Sequence, residues 1–489
     1  MKTMANKALN RAGFQSKIAR NSIFLLGGEG LARTLNLIVS IILARHLGPE
    51  RLGIYTFVLN YGVLLGLATE FGLSRAAIRD MARLPGDTLP AAAGNVYILR
   101  TLMCAVAYIA IAASLLTPLG HGMSAERQQL ILLWALSLVF QAFTRNSEIL
   151  FQSQERMQFN AAFLVLNRLI ATALILTAIY TGRGLRAVVC ANLFADAVVC
   201  FVANAAAFRT IARPRFLWDA PALRRLFRLA TPFGLQLVAT QIYFFADSIM
   251  IYYIFRGATP AAVDREIGIY GAVAKIVVTL QFIPISVCSA LYPALSRAFH
   301  EDRDRMNSLF ARSFNVFALA AIPLGLLLFS FRSEVIHAIY GNRYDESIPI
   351  LKISAWSIPL TFLAIPLGNL LAASDRQRYV TYASFTNAAC FIILGFLLIP
   401  AHGAWGAAVA MVAMITLNLA LCLYFTLSQF GNIFNLTLLG LLAAVHATAI
   451  ASLLLNDTAP LSTRAITFAV YLIVVVALGY RIVPRTSQP

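Results

Sequence analysis

Fourteen apolar stretches, each about as long as a bilayer's hydrocarbon core is thick, follow one another along this 489-residue chain. They run roughly over 21–44, 53–72, 93–116, 128–148, 160–181, 186–207, 229–254, 267–294, 311–331, 350–372, 379–400, 404–427, 434–455 and 464–481. No other feature limits the fold so tightly. In hydrocarbon every backbone N–H and C=O must be bonded within the chain, so a run of such spans predicts an all-α polytopic membrane protein. Only 12% of the residues are charged, about half the share in soluble domains. The first 20 residues are basic and polar, and the span behind them is too long for a cleaved signal, so it is expected to be retained.

The formal net charge of +18 would suggest nucleic acid in a soluble protein. Here there is no basic arm, zinc-finger spacing or RNA-binding signature, and the charge follows topology instead. With the N-terminus inside, and edge residues given to the adjoining loop, 24 Lys/Arg fall on inner segments, 11 on outer ones and 4 within spans. That bias predicts cytoplasmic termini. Its largest anchor is the basic connection "FRTIARPRFLWDAPALRRLFR", Phe208 to Arg228.

The same connection reads as a boundary. "LGIYTFVLNYG" from Leu52 is echoed by "IGIYGAVAKIV" from Ile267, an offset of 215. "LFQSQERMQFN" from Leu150 is echoed by "LLAASDRQRYV" from Leu370, an offset of 220 shared by Asn167 and Asn387. The order and spacing predict two parallel six-helix lobes, 1–207 and 229–427. Residues 208–228 connect them on the cytoplasmic side, and two additional helices occupy 428–489.

Polar residues inside spans are expensive and so informative. Glu29, Arg33, Asn36 and Ser40 share one face of the first span at i, i+4, i+7, i+11. Gln236, Thr240, Tyr243 and Asp247 repeat that spacing in the seventh. Arg168, Asp196 and Lys275 also lie within spans, Lys275 matching Asn60 by the repeat offset. These residues are expected to line a hydrated cavity. Structural glue is the competing reading of the Glu29–Arg33 pair. Arg100 and Glu70, nearer a membrane edge, are expected to snorkel. The glycines Gly27, Gly28 and Gly30 read as sites of close helix packing, not as a phosphate loop.

Enzymatic motifs are missing. The six His are scattered, the six Cys form no CxxC pair, and there is no GxSxG or Walker sequence. No catalytic residue, metal or cofactor is therefore expected. Glu301, Asp302 and Asp304 alternate with arginines and read as a solvated loop. The outer loops are too short to house a membrane glycan polymerase or ligase. A purely structural scaffold would leave the matched stripes unexplained.

"ILARHLGPERLGIYTF" and "EFGLSRAAIRDMAR" resemble the bacterial Wzx-type lipid-linked oligosaccharide flippases, through Arg45, Leu47, Gly48, Pro49, Glu50, Gly53, Tyr55, Phe71, Gly72, Leu73 and Arg79. These polysaccharide exporters belong to the multidrug/oligosaccharidyl-lipid/polysaccharide superfamily. The resemblance implies a MATE-like twelve-helix core with two added helices in the bacterial inner membrane. It also implies alternating access for an undecaprenyl-diphosphate-linked oligosaccharide, the repeat unit of an O-antigen or exopolysaccharide. Membrane lipids are its surroundings, and a glycan polymerase is a candidate partner. With no nucleotide site in view, energy input is expected from an ion gradient or downhill flow. A lipid II flippase and an ion-coupled multidrug antiporter of the same superfamily stay open as alternatives.

Overall fold

The computed structural model describes residues 2–85, 87–257, 259–431, 447 and 460–482, and side chains within 27–475 of these. Among the described residues the chain is helical throughout, without a strand. The main helices are α1 Lys2–Leu65, α2 Leu73–Met81, α3 Leu89–Leu115, α4 Ala125–Ser153, α5 Met157–Tyr180, α6 Gly184–Thr210, α7 Ala220–Ile254, α8 Pro260–Glu301, α9 Arg303–Ser330, α10 Ser357–Ala373, α11 Gln377–Phe430 and α12 Leu461–Ile482.

Among the described residues, ten helical segments are long and apolar enough to cross a membrane. Two of them contain a break that divides each into two stretches long enough to span, so the described helices offer twelve candidate spans. In α1 the break is Gly48, at φ 73°, followed by Pro49, which has no N–H to continue the ladder. In α11 it is Gly403, at φ 50°. There the Glu266 carboxylate accepts from the Ala404 N–H at 2.7 Å and caps the new helix start. Helix α12 supplies a further apolar helix on the stretch expected at 464–481. The stretch expected at 434–455 lies outside the described residues.

The loop expected at Glu301–Arg305 is instead a one-residue interruption. Asp302 ends α8 and its carboxylate accepts from the Asp304 and Arg305 N–H groups, both at 3.0 Å, so it caps α9.

The described chain divides into two compact units, Met1–Ile249 and Met250–Pro489. The N-terminal unit has an apolar core built from Leu73, Met81, Phe151 and Phe163 among others, and a second around Leu43 and Ile175. The C-terminal unit packs Phe310, Phe314, Leu367 and Leu370, and seats α12 on α9 through Leu326, Phe468 and Tyr471.

Within each unit the echoed segments take the same local form. Glu155 (φ 56°) and Asp375 (φ 58°) are both left-handed. The next N–H then reaches back five residues, Arg156 to Phe151 O at 2.8 Å and Arg376 to Leu371 O at 2.9 Å. This is a Schellman closure of the preceding helix, used twice at an offset of 220. Tyr55 bonds the side chain of Asn192 in the N-terminal unit, and Tyr270 bonds Met411 at 3.3 Å in the C-terminal unit. Asn167 reaches Asp196, and Asn387 reaches Asn418, each at 2.8 Å.

Candidate functional site

One buried polar assembly in the N-terminal unit centres on Asp196. Helix α6 presents Asn192 and Asp196 one turn apart, and α4 presents Ser137 and Gln141 likewise. Asp196 is 7% exposed. Its Oδ1 accepts from Asn167 Nδ2 at 2.8 Å and its Oδ2 from Gln141 Nε2 at 2.9 Å and from the Ser137 hydroxyl. Arg168, half-buried one residue beyond Asn167, lies within electrostatic reach of Asp196 and of the Tyr55 hydroxyl. A carboxylate taken out of water needs such compensation, since desolvation alone costs several kcal/mol. The fold thus brings together the predicted Arg168 and Asp196. It adds Ser137, Gln141 and Asn192, which sequence reasoning missed although both i, i+4 polar pairs stand in plain view.

Asp247, 5% exposed, sits in a second, smaller assembly in the same unit. Asn60 Nδ2 donates to Ser248 Oγ at 2.8 Å and approaches Asp247 Oδ1 at 3.4 Å, which ties the second span to α7. Asp247 also accepts from the Ser248 N–H at 2.6 Å. Gln236, Thr240 and Tyr243 lie half-buried along the same helix.

In the first span Arg33 is exposed, with Glu29, Asn36 and Ser40 half-buried. Each stripe contains a hydroxyl turned back on its own helix: Ser40 donates to Asn36 O at 2.6 Å and Thr240 to Gln236 O at 2.9 Å. Of the glycines expected to pack closely, Gly28 is a point of close approach, whereas Gly27 faces open space. A Cβ at Gly28 would stand 2.9 Å from that of Ala161 on α5. Lys275 lies half-buried on α8 in the C-terminal unit.

One expectation fails. Arg100 does not snorkel; it is 0% exposed. Its guanidinium donates to Glu70 Oε2 at 2.7 Å, Thr69 O at 2.6 Å, Ser74 Oγ at 3.0 Å and Asn146 Oδ1 at 3.1 Å. Glu70 does not reach outwards either; it also receives the Ser74 N–H at 3.1 Å and has Arg145 3.4 Å away. The "EFGLS" turn causes this. Gly72, at φ 77°, lets the chain double back, and a Cβ there would stand 2.5 Å from Ala230 O and from Gly234 N. The turn drops Glu70 over the first turn of α2 and against Arg100. Among the described residues no group of three or more His, Cys, Asp or Glu is placed to hold a metal.

Among the described residues the chain is all-helical, with many candidate spans and buried polar assemblies. Solved structures share the fold. The inward closed lipid II flippase MurJ superposes with a TM-score of 0.78 over 95% of this chain and 100% of its own, at 15% identity. An inward-facing multidrug resistance MATE family transporter of the MOP superfamily gives 0.68 over 82% and 95%, at 14% identity. A MOP superfamily transporter from Pyrococcus furiosus gives 0.59 over 85% and 96%, at 15% identity. Residues 18–299 match the polysaccharide biosynthesis protein family, and the chain belongs to it. Residues 232–399 also match the MatE family. A membrane protein of the cps region of Klebsiella pneumoniae is 23% identical over 147 residues; that match spans 30% of each chain.

Proposed function

We propose that this protein flips an undecaprenyl-diphosphate-linked oligosaccharide, an O-antigen or exopolysaccharide repeat unit, across the bacterial inner membrane by alternating access. The observation that carries the reading is the polysaccharide biosynthesis family match over residues 18–299. The cps-region relative points the same way. The substrate's head is anionic and hydrated while its tail prefers lipid. Arg33, Arg168 and Lys275 suit the diphosphate charge, the arginines by forked hydrogen bonding. Asp196 spends its acceptors on Asn167, Gln141 and Ser137. That suits a residue that orients Arg168 and keeps the site from holding an anion too tightly. Glu29 and Asp247 are assigned the same restraining role. The halves 1–207 and 229–427 are read as repeats, supported by the paired Schellman turns and tyrosine contacts. Both termini are placed in the cytoplasm. Ion coupling and a glycan polymerase partner belong to the same reading.

Exchanging the pair, Glu29→Arg with Arg33→Glu, tests it. A bridge that only glues helices survives inversion and export continues. If Arg33 meets substrate, the swapped protein reaches the membrane at normal level yet surface glycan is lost in cells lacking the native gene. Full export by the swapped protein refutes the substrate role.

The superposition on MurJ over 95% of the chain favours lipid II as a second reading. Rescue of cells depleted of their lipid II flippase, without effect on surface glycan, would select it.

A further inference from the structure

The connection between α6 and α7 is not a free loop. The Arg215 N–H donates to Pro90 O at 2.8 Å, and Gly94 on α3 leaves just enough room for the Arg215 carbonyl. Phe216 meets the Tyr97 ring edge-on at 6.2 Å between centroids. Arg225 pairs with Asp80 of α2 at 2.8 Å. The strap is thus fixed to the N-terminal unit, and what it exposes is exposed by construction.

It exposes three large apolar residues in a row: Phe216 at 65%, Leu217 at 64% and Trp218 at 69%. Phe227 and Leu229 follow at the start of α7, at 45% and 42%. Around them stand Arg209, Arg213, Arg215, Arg224 and Arg228, all exposed and, among the described residues, in no ion pair. Asp219 is the lone carboxylate of the segment, and it caps Ala222 N–H at 3.0 Å. A soluble surface would leave such an apolar run facing water beside unneutralised charge. At a bilayer interface both demands are met, aromatic rings lying at headgroup level and guanidinium groups meeting phosphates.

We infer that this strap is a docking surface for anionic phospholipid headgroups of the cytoplasmic leaflet. Phe216, Leu217 and Trp218 wedge into the interface, and the arginines select negative headgroups. The leaflet assignment rests on the topology proposed above; the preference for anionic lipid does not. The strap lies within the first unit and leads into α7, so bound lipid steadies the start of that helix.

The test uses the full chain in mixed micelles of phosphatidylglycerol and phosphatidylcholine, with retained lipids counted by native mass spectrometry. Each arginine near an anionic surface is expected to contribute about fivefold to lipid retention. Arg213→Gln, Arg215→Gln and Arg224→Gln together should therefore lower the preference for phosphatidylglycerol by more than about tenfold. The three corresponding lysine changes should preserve it and show that the fold is intact. Soluble glycerol phosphate should not compete, because it lacks the acyl anchor. The emission of Trp218, taken as the difference between wild type and Trp218→Phe, should be quenched by acyl-brominated phosphatidylcholine. Equal retention of both lipids by the wild type, an unchanged preference in the glutamine variant, or unquenched Trp218 emission would each overturn the proposal. A reporter inserted within 208–228 that reads periplasmic refutes the leaflet and the topology alone.

Discussion

Arg100 shows how far single residues depart from what a sequence displays. A lone arginine twelve residues into α3 invites the assumption that it reaches for water. Instead Glu70, Ser74 and Asn146 come from other segments to enclose it, and no periodicity within α3 announces them. Removing one partner of such a buried pair leaves an uncompensated charge, at about 3–5 kcal/mol. Arg100→Met and Glu70→Gln should each sharply lower the folded fraction in detergent thermal unfolding and in membrane levels. The double variant should lose less than the two single losses combined. An additive double mutant would show that the contact carries little of the stability. Gly72→Ala should be as damaging, because a Cβ meets both a left-handed backbone and the Ala230 carbonyl. Asp196 was legible as a buried charge, and its donors Ser137 and Gln141 were legible as a polar pair. Which helices meet was not, since i, i+4 spacing defines a face and says nothing of its neighbour.

At the scale of elements, hydropathy was sufficient to place the spans that fall on the described residues, because in lipid the backbone has few other ways to satisfy its hydrogen bonds. "HLGPE" carries part of the family resemblance, and its physical role is the helix break at Gly48. The repeat was legible in "QER" and "SDR", and its physical content is the pair of left-handed turns at Glu155 and Asp375. A left-handed non-glycine residue costs roughly 1–2 kcal/mol. Glu155→Gly should therefore raise stability, by up to about 1 kcal/mol after glycine's extra chain entropy is deducted. A higher midpoint of thermal unfolding in detergent is expected. A lower midpoint would mean that the Glu155 side chain, not the turn, stabilises this corner. The connection Phe208–Arg228 was legible as a basic anchor and as a boundary between halves, and its attachment was not. That it is strapped to α3 through Pro90 and Gly94 depends on a small residue far away in sequence.

For the whole molecule, the distribution of charge sets the orientation expected in the membrane. Reporter fusions after Pro489 and within 208–228 should both read cytoplasmic, since the proposed orientation puts 24 Lys/Arg on inner segments against 11 on outer ones. A periplasmic signal at either would break the orientation. Transport of a lipid-linked glycan, as proposed, shows in the leaflet in which that glycan resides. In cells lacking the gene, undecaprenyl-diphosphate-linked repeat units should accumulate on the inner leaflet and surface glycan should vanish. The wild-type gene should reverse both, and Arg168→Gln, at equal membrane level, should restore only a small fraction. Undiminished surface glycan in the deletion strain, with no build-up of the lipid-linked unit, would contradict the account.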